Sequence, residues 1–515
     1  MNLLFVKHNF KQIIQVDGIK DASSYHESEL LPGLITLAKM HPEYSIVWFH
    51  ESIDDQLNLD YFSTIDHVQA FLISYAPSGF DYISPEIGLV DQSVFINVNK
   101  KVRYPTWLMS ALVGIISPGL LNQLDAINFQ GVTLDFVLNS LAKNNMPKGL
   151  LCYSDPKLLK STLIEPKSTP QISQKDLYRF VLVQYKWIWV YLMFLQLLIY
   201  KNKSTLFSLL ISLLKKGKVK TDLKLNHGFI PKNNVNLHGN SIDVIIPTLN
   251  RKAYLFDFLQ DLKSQTLIPN NVIIIEQLHT GLKTELDYLN NDSWPFKIMH
   301  RCIHTFGACN ARNLALNLVE SDWVFLADDD IRIKPDFMEN AMIRLKHVRA
   351  SAATFSCNKS YRLKINLKVK QWSAFGSGSS IIHSSLLKEN CSFDTRFEHG
   401  YGEDSDFGMQ IRNAGYDIFY FNFPEILHLK APSGGFRESV KLAWDIEKIT
   451  PKPSPTVTLF NLMHLTDDQK LGFKTIFWIK NLRNTYWGEK LKYLMEFSQK
   501  WHSSHKWGMK LLEGE

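Results

Sequence analysis

The sequence predicts an α/β protein whose second half contains a largely parallel β-sheet with helices on its faces. Asp243–Ile246 is a mainly β-branched apolar run that ends at Pro247, Tyr254–Leu262 has a helical pattern, and Val272–Ile275 is a second run typical of a buried strand. Strands that alternate with helices form parallel sheets. Because ligands bind at the carboxyl ends of such strands, the residues just after each strand are the first candidates for chemistry.

Length and composition indicate a globular chain with more than one domain. At 515 residues, with 45% hydrophobic and 21% charged residues, two or three domains are expected. We predict four parts: an N-terminal α/β domain of unknown role over 1–170, an apolar and basic helical linker over 171–240, the sheet domain over 241–437, and an aromatic and basic helical extension over 438–515.

Charge and cysteine content argue against several classes of protein. The net charge of +7 is mild for this length and comes without a dense basic arm, so no nucleic-acid partner is expected. The five cysteines are scattered and include no C-x-x-C pair, so neither a disulfide framework nor a zinc site is expected. Met1–Phe10 has too short an apolar run for a signal peptide. We therefore expect a cytoplasmic protein.

One apolar stretch suggests contact with a membrane. Trp187–Tyr200 carries no charge and is flanked by Lys186 and Lys201, but it is shorter than the roughly 20 residues that a spanning helix needs. A second apolar run, Leu206–Leu214, follows and is succeeded by lysines. We favour an element that lies on the inner surface of the membrane, with a buried helix pair and a true span as the alternatives.

The C-terminal part is rich in aromatic and basic residues. Trp487, Tyr493, Trp501 and Trp507 stand among many lysines in a helical pattern. We favour a helix that packs over the sheet domain, and a second membrane-surface anchor is the alternative.

The most informative motif is a buried strand that runs directly into three carboxylates. Trp323–Ala327 is followed by Asp328, Asp329 and Asp330. Adjacent carboxylates repel one another, so such a cluster is stable mainly when a cation neutralises it. Carboxylate oxygens suit Mg²⁺ or Mn²⁺, and alternate residues of an extended segment point the same way. The motif therefore predicts that Asp328 and Asp330 face one ion; a solvated acidic turn or a helix cap is the alternative.

A second acidic motif lies at the start of a predicted helix. Gly400–Gly402 precede Glu403, Asp404 and Asp406, and an apolar helical pattern follows. The helix dipole favours acids in a first turn, so simple capping is one interpretation. The other is that one of these carboxylates accepts the proton of a hydroxyl group.

Three further segments offer groups that can bind anions or metals. Pro247–Arg251 forms a turn at a strand end, and Gly307–Asn313 is a helix of small residues that leaves Arg312 free to meet phosphate. His428 can complete a metal shell, and Lys430 and Arg437, which flank a glycine-containing loop, can clamp a diphosphate. A structural role is the alternative for each.

These segments together resemble the family 2 glycosyltransferases, which have the GT-A fold. The resemblance covers residues 242–437 and rests on DVIIPTLNR, GACNARNLAL, WVFLADDD, FDTRF and GYGEDSDFGMQIRNAG. The last two, with the GSGSS stretch at Gly376–Ser380, look most like the galactosyltransferase-type C-terminal half of this class.

The resemblance implies an inverting, single-displacement transfer of a sugar from a nucleotide-sugar donor, with a UDP-sugar favoured, to an acceptor hydroxyl. It implies that Asp404 is the base and that Glu403 places the acceptor. The implied metal is Mn²⁺ or Mg²⁺, bound by Asp328, Asp330 and His428. The implied donor-binding residues are Pro247, Thr248, Asn250, Arg251, Glu276, Arg312, Asp328, Asp329 and Lys430.

One departure from the family pattern leaves the nucleotide open. The second strand usually ends in a pair of aspartates, whereas here it ends in Glu276 and Gln277. A longer glutamate still reaches a base or ribose.

Two other functions remain as alternatives. A nucleotidyltransferase shares the acidic metal site but usually needs a glycine-rich basic loop after the first strand, where this chain has PTLNR. A catalytically silent glycan-binding or scaffold protein is the other. For the transferase, a glycan or a lipid-linked glycan is the expected acceptor.

Overall fold

The chain folds into two compact units. The computed structural model describes residues 2–20, 22–65, 70–125, 129, 131–161, 169–214, 219, 221–225, 241–291, 293–362, 367–389, 391–432 and 440–514. The first unit comprises Met1–His227 with Leu465–Asn481, and the second comprises Gly228–His464 with Leu482–Glu515. The four-part division made from the sequence stays a prediction.

The first unit is an α/β structure, as its mixed sequence pattern predicts. Its strands are β1 (Asn2–His8), β2 (Ile13–Asp17), β3 (Tyr44–His50), β4 (Phe71–Tyr75), β5 (Tyr104–Pro105), β6 (Val113–Ile116) and β7 (Leu151–Ser154). Its helices are α1 (Leu30–Met40), α2 (Leu59–Thr64), α3 (Leu134–Asn145), α4 (Gln174–Gln184), α5 (Ile188–Lys201) and α6 (Leu206–Leu214). Within the described residues the strands form one mixed sheet in the order β2-β1-β3-β6-β4-β7-β5.

Helices α5 and α6, which hold the two apolar runs, each have a buried and an exposed side. Val190, Met193 and Leu197 of α5 are fully buried in the hydrophobic core of the first unit. The other side is exposed and carries large apolar side chains: Trp187, Ile188, Leu195, Leu198 and Ile199 along α5, and Leu206, Phe207, Leu210 and Leu214 along α6. None of the helices in the described ranges has both the length and the hydropathy needed to cross a membrane.

The second unit is built on a larger sheet. Its strands are β8 (Ile242–Thr248), β9 (Asn271–Gln277), β10 (Lys297–Ile303), β11 (Trp323–Ala327), β12 (Ile331–Ile333), β13 (Ala352–Asn358), β14 (Val369–Gln371), β15 (Ser379–His383) and β16 (Phe419–His428). Its helices are α7 (Lys252–Lys263), α8 (Tyr288–Asn291), α9 (Ala308–Leu316), α10 (Phe337–His347), α11 (Ser385–Lys388), α12 (Glu403–Asn413), α13 (Pro455–His464) and α15 (Lys490–Glu513), while α14 (Asp467–Asn484) begins in the first unit.

The strand order confirms the predicted α/β fold class with flanking helices. Among the described residues the order is β10-β9-β8-β11-β15-β13-β16-β12, with β14 beside β16. Strands β10, β9, β8 and β11 are parallel to their neighbours, so their carboxyl ends lie at one edge of the sheet. Antiparallel pairs of β15 with β11 and β13 then bring Ser379 and Ser380 to that same edge, opposite Ala327 and Leu326.

A buried carboxylate fixes the opposite end of this parallel sheet. Asp243 is fully buried in β8, yet both of its oxygens accept hydrogen bonds. The donors are the Asn271 side-chain amide (2.9 Å), the Ser321 hydroxyl (2.6 Å) and the Glu320 amide (2.9 Å). Because Asn271 is the first residue of β9 and Glu320 and Ser321 precede β11, Asp243 joins the starts of three neighbouring strands.

The C-terminal helix α15 packs on α13 through small and polar residues. The hydroxyls of Thr458 and Ser504 are 2.6 Å apart, and a Cβ added at Gly508 would lie 2.8 Å from the Thr458 side chain. The start of α15 is different, because Trp487, Leu491 and Met495 are exposed there.

A buried aspartate in the first unit gives a test of this fold. Burial raises the pKa of Asp135 to about 7, although the Ala111 amide donates a hydrogen bond to it. The unfolded chain ionises near pH 4, so the folded state loses stability as the pH rises from about 4 to 7. Asp135→Asn keeps the acceptor oxygen and removes the ionisation. We expect the variant to be more stable than wild type at pH 8, by on the order of 1–3 kcal/mol, and to lose this advantage at pH 4.

Urea denaturation at pH 4 and pH 8 measures this difference. Asp60→Asn, at an exposed carboxyl group of the same unit, is the matched control and should show no such change between the two pH values. Equal stability differences for Asp135→Asn at both pH values would contradict the burial argument.

Candidate functional site

Polar side chains meet where the parallel strands end. Thr248 closes β8 and pairs in register with Glu276 near the end of β9, and the three aspartates follow β11 in the next position of the sheet. The predicted convergence of these segments at one edge is therefore present in the structure. The roles predicted for the individual residues stay predictions, and their positions are described below.

The three aspartates have different hydrogen-bond partners. Asp329 is 2% exposed and accepts hydrogen bonds of 2.7 Å from both the Thr248 hydroxyl and the Arg251 guanidinium. Asp330 lies 3.4 Å from the same guanidinium. Asp328 is the most accessible of the three and accepts a hydrogen bond of 3.1 Å from Arg312. Two arginines thus offset part of the negative charge of the three carboxylates.

Asp328, Asp330 and His428 form a candidate metal site. One ligand atom from each lies within 4.8 Å of the other two. The strand pairing explains this closeness, because β12 follows the aspartates and Ile331 pairs directly with His428 at the end of β16. The Ala431 amide donates to Asp330 at 2.8 Å, which holds the strand end in place. Two carboxylates and an imidazole on rigid strands fit a divalent cation with positions left for other ligands.

The charges in this cluster are strongly coupled. Burial alone would raise the pKa of Asp330, but the hydrogen bond with His428, the Ala431 amide and the charge of Arg251 lower it to about 2. The hydrogen bond to Asp330 raises the pKa of His428 to about 10. Burial raises the pKa of Asp329 to about 6, although the positive charge of the nearby Arg251 lowers it. A cation bound here would take the place of the positive charge on His428.

Glu403 and Asp404 begin α12, directly after a glycine in a left-handed conformation. Gly402 has a φ of +121°, which residues with a side chain rarely adopt. The Ser377 amide donates to the Asp404 carboxylate at 3.0 Å, and the Phe375 amide donates to the Asp404 carbonyl oxygen at 2.9 Å. Burial raises the pKa of both carboxyl groups, and the charge of Asp404 adds to the shift at Glu403. Such a carboxylate binds a proton more readily than one in water.

The third acid of this turn has a different role. Asp406 is 1% exposed and lies 2.6 Å from the Nε2 atom of His464 in α13, and Gln410 donates to its other oxygen at 2.7 Å. Helix α13 also supports the preceding loop, because the Thr456 hydroxyl accepts a hydrogen bond of 2.9 Å from the Tyr401 amide. Asp406 therefore joins α12 to α13.

Arg312 connects the two acidic groups. It is 6% exposed and donates to Asp328, and its pKa, which burial lowers, is raised by the charges of Asp328, Asp404 and Glu403. Arg312, predicted to contact phosphate, is buried and paired with Asp328 in the structure, and its predicted role stays a prediction. It lies on α9, whose small residues allow close packing against β8 and β9.

The remaining predicted residues lie around this edge. Pro247 is within β8, and Asn250 and Lys430 are exposed, with positive φ angles of +54° and +58°. Glu276 lies 2.9 Å from the Nε2 atom of His300. The loop that follows Lys430, at 433–439, lies outside the described residues.

Two supporting residues were not assigned a role from the sequence. Glu398 accepts hydrogen bonds from the Cys309 and Asn310 amides, at 3.1 and 2.9 Å, and so caps the start of α9. Gly378 approaches Asp328 so closely that an added Cβ would lie 2.1 Å from the carboxylate. Glu398 directly follows the FDTRF segment and Gly378 lies in GSGSS, but spacing alone does not reveal which partner each one meets.

The close approach of Gly378 predicts a specific effect on metal binding. Gly378→Ala must displace the Asp328 carboxylate, because the added Cβ has no room beside it. We expect affinity for Mn²⁺ to fall about tenfold or more while the protein stays folded. Isothermal titration with Mn²⁺ measures this. Gly376→Ala, whose Cβ would approach no atom closer than 3.2 Å, is the control and should bind nearly as well as wild type.

Part of the sequence matches a known protein family. Residues 243–398 match the family profile described as glycosyl transferase family 2. No curated protein sequence matches the chain. The match covers the strand ends, the three aspartates and Arg312, and it ends before α12.

Several solved structures show a distant likeness. The S. aureus TarS structure is 18% identical with a TM-score of 0.29, over 35% of this chain and 36% of TarS. TarS 1–349 in complex with UDP-GlcNAc is 16% identical with a TM-score of 0.37, over 53% of this chain and 81% of that chain. GalNAc-T7 with UDP, GalNAc and Mn²⁺ is 12% identical with a TM-score of 0.32, over 38% and 44%. The sequence match applies to residues 243–398, which resemble glycosyl transferase family 2, and the chain covers about a third of the length of the full TarS structure.

Proposed function

We propose that the chain transfers a sugar from a nucleotide-sugar donor to an acceptor hydroxyl by a single, inverting displacement. The observation that carries the proposal is the pair of acidic groups at one sheet edge. Asp328, Asp330 and His428 form one group, Glu403 and Asp404 form the other, and Arg312 is charge-coupled to both. A reaction that separates a diphosphate from a sugar while activating a hydroxyl needs both kinds of group.

The donor nucleotide would bind along the ends of β8 and β9. Pro247, Thr248 and Asn250 lie at the end of β8. Glu276 lies near the end of β9, where its carboxylate contacts the His300 imidazole. Arg251 and Lys430 add positive charge near the expected diphosphate. A UDP-sugar is the donor that we favour.

A divalent ion, Mn²⁺ or Mg²⁺, would be held by Asp328, Asp330 and His428. When bound, it supplies positive charge to the diphosphate as the bond to the sugar breaks. The chain supplies the ligand geometry through β12 and β16. The Asp329 carboxylate is occupied by Thr248 and Arg251, so we propose that it holds the strand-end turn in place for the donor.

Asp404 would accept the proton of the acceptor hydroxyl. Its raised pKa favours proton uptake, and a positioned base of this kind contributes about 10²- to 10⁴-fold to a rate. Hydrogen bonds from the Ser377 amide and the Ser377 side chain hold this carboxylate in place. Glu403, the preceding residue in the same helical turn, would accept a hydrogen bond from another hydroxyl of the acceptor and so orient it.

This proposal predicts different effects for two neighbouring acids. Asp404→Asn should lower kcat about 10²- to 10⁴-fold with donor binding unchanged, because it removes the base and keeps the hydrogen-bond geometry. Asp406→Asn should leave the chemistry intact but lower stability, because it weakens a buried contact with His464. The measurement is product formation from a panel of nucleotide sugars with and without Mn²⁺, together with thermal unfolding.

The outcomes separate the competing functions. Asp330→Ala should abolish metal-dependent turnover of the donor that wild type uses. If wild type binds a donor with metal but never turns it over, the silent glycan-binding or scaffold function is favoured. If Asp404→Asn and Asp406→Asn lose activity equally while both stay folded, Asp404 is not the base.

We also propose that helices α5 and α6 lie on an anionic membrane surface, which would bring a lipid-linked glycan to the enzyme. The exposed side of the two helices carries aromatic and aliphatic residues, including Trp187, Ile199 and Phe207 at 69%, 67% and 77% exposure. Between Leu177 and Thr221 the sequence contains no acidic residue and eight basic ones, namely Arg179, Lys186, Lys201, Lys203, Lys215, Lys216, Lys218 and Lys220. Apolar side chains beside an excess of positive charge favour anionic lipid.

Vesicle co-sedimentation tests this contact. The double variant Ile199→Glu, Phe207→Glu should bind phosphatidylglycerol vesicles at least about tenfold more weakly than wild type, because burial of each side chain contributes about 1.5–3 kcal/mol. Leu282→Glu, at an exposed apolar residue of the second unit, is the control and should bind normally. Equal binding of wild type to phosphatidylcholine would remove the charge argument, and no vesicle binding would refute the contact.

A further inference from the structure

A second group of metal-binding side chains lies at the edge of the parallel sheet. Glu276 on β9 pairs in register with Cys302 on β10, and His300 precedes Cys302 by two residues. Because side chains alternate along a strand, His300 and Cys302 lie on the same side of β10, and parallel pairing places Glu276 beside them. The opposite side of β10 carries Met299 and Ile303, which pack against the hydrophobic core.

The three side chains already have the spacing of metal ligands. Glu276 Oε2 is 2.9 Å from His300 Nε2 and 3.5 Å from Cys302 Sγ, and the sulfur is 3.7 Å from the same nitrogen. Tetrahedral Zn²⁺ bonds of about 2.0 Å to oxygen, 2.0–2.1 Å to nitrogen and 2.3 Å to sulfur place the ligand atoms about 3.3–3.6 Å apart. Movements of a few tenths of an ångström therefore complete the geometry.

We propose that Glu276, His300 and Cys302 bind a zinc ion. The mixture of carboxylate, imidazole and thiolate favours Zn²⁺ over Mg²⁺ or Mn²⁺, which prefer oxygen ligands. The Glu276 side chain is buried, His300 is partly buried and Cys302 is exposed, so an ion reaches the site from solvent and keeps an open fourth position. A sequence search for zinc-binding spacings misses this set, because one ligand comes from the neighbouring strand.

Bound zinc has a consequence that rests on the proposed function. Glu276 is the carboxylate that we expect to receive the nucleoside, and it ends β9 beside Thr248. Zinc ligation occupies this carboxylate, so zinc and the donor nucleotide compete. Zinc would then inhibit the transferase from a site separate from the one that Asp328 and Asp330 form.

Titration of the full-length protein with Co²⁺ tests the site directly. Cobalt replaces zinc in such sites, and a cobalt–thiolate bond gives a near-ultraviolet charge-transfer band that oxygen and nitrogen ligands do not give. Wild type should show the band, Zn²⁺ should remove it, and Cys302→Ser should lack it. Cys357→Ser is the matched control, because Cys357 hydrogen-bonds to His428 at the other candidate metal site, and it should keep the band.

His300→Ala provides the second ligand test and should weaken Zn²⁺ binding at least about tenfold. Circular dichroism and thermal unfolding establish that each variant is folded. No band in wild type, or an unchanged band in folded Cys302→Ser, overturns the site. A normal band with no effect of Zn²⁺ on UDP binding leaves the zinc site in place and refutes the nucleotide position assigned to Glu276.

Discussion

Carboxylate crowding at one sheet edge is the constraint on which the rest of the second unit depends. Asp328, Asp329 and Asp330 are consecutive, and Glu403 and Asp404 lie near enough to influence the same guanidinium, Arg312. The fold tolerates this charge because the buried Arg312 and the partly buried Arg251 lie among the acids. Helix α9 carries Arg312, and the turn after β8 carries Arg251, so both elements bring a positive charge to the aspartates. The same arrangement leaves Asp328 accessible, which is what a site for a cation and a diphosphate needs.

Backbone geometry provides the second level of support. Position 378 requires glycine because the Asp328 carboxylate fills the space that a side chain would occupy. Gly402 adopts a positive φ, and α12 then begins with its acids near Ser377. Glu398 caps α9 and accepts hydrogen bonds from backbone amides that would otherwise lack a partner. Each device belongs to a loop, yet each is held by a strand or a helix end. The reactive groups thus stand at the ends of strands and helices, where neighbouring backbone holds them in place.

The sequence predicted the parallel part of the sheet and the convergence of its motifs because both follow from local patterns. Strand periodicity located β8, β9 and β11, and the segments after them had to share an edge. It could not predict pairings that depend on tertiary structure. The pairing of the buried Arg312 guanidinium with Asp328 is one such contact, because the helical pattern of α9 does not reveal its partner. The same holds for three other contacts, because each joins residues that are far apart in the sequence. They are the hydrogen bond between Thr248 and Asp329, the pairing of Glu276 with Cys302, and the capping of α9 by Glu398.

The contact between Asp406 and His464 affects the choice of the C-terminal boundary for a truncated form of the second unit. The family match ends at residue 398, but the first turn of α12 rests on α13, which also holds the Tyr401 amide through Thr456. A fragment that stops at 437 would leave a buried carboxylate without its imidazole partner and a glycine loop without its support. A fragment that keeps these contacts therefore extends at least through His464, and recombinant truncations should be chosen by this contact.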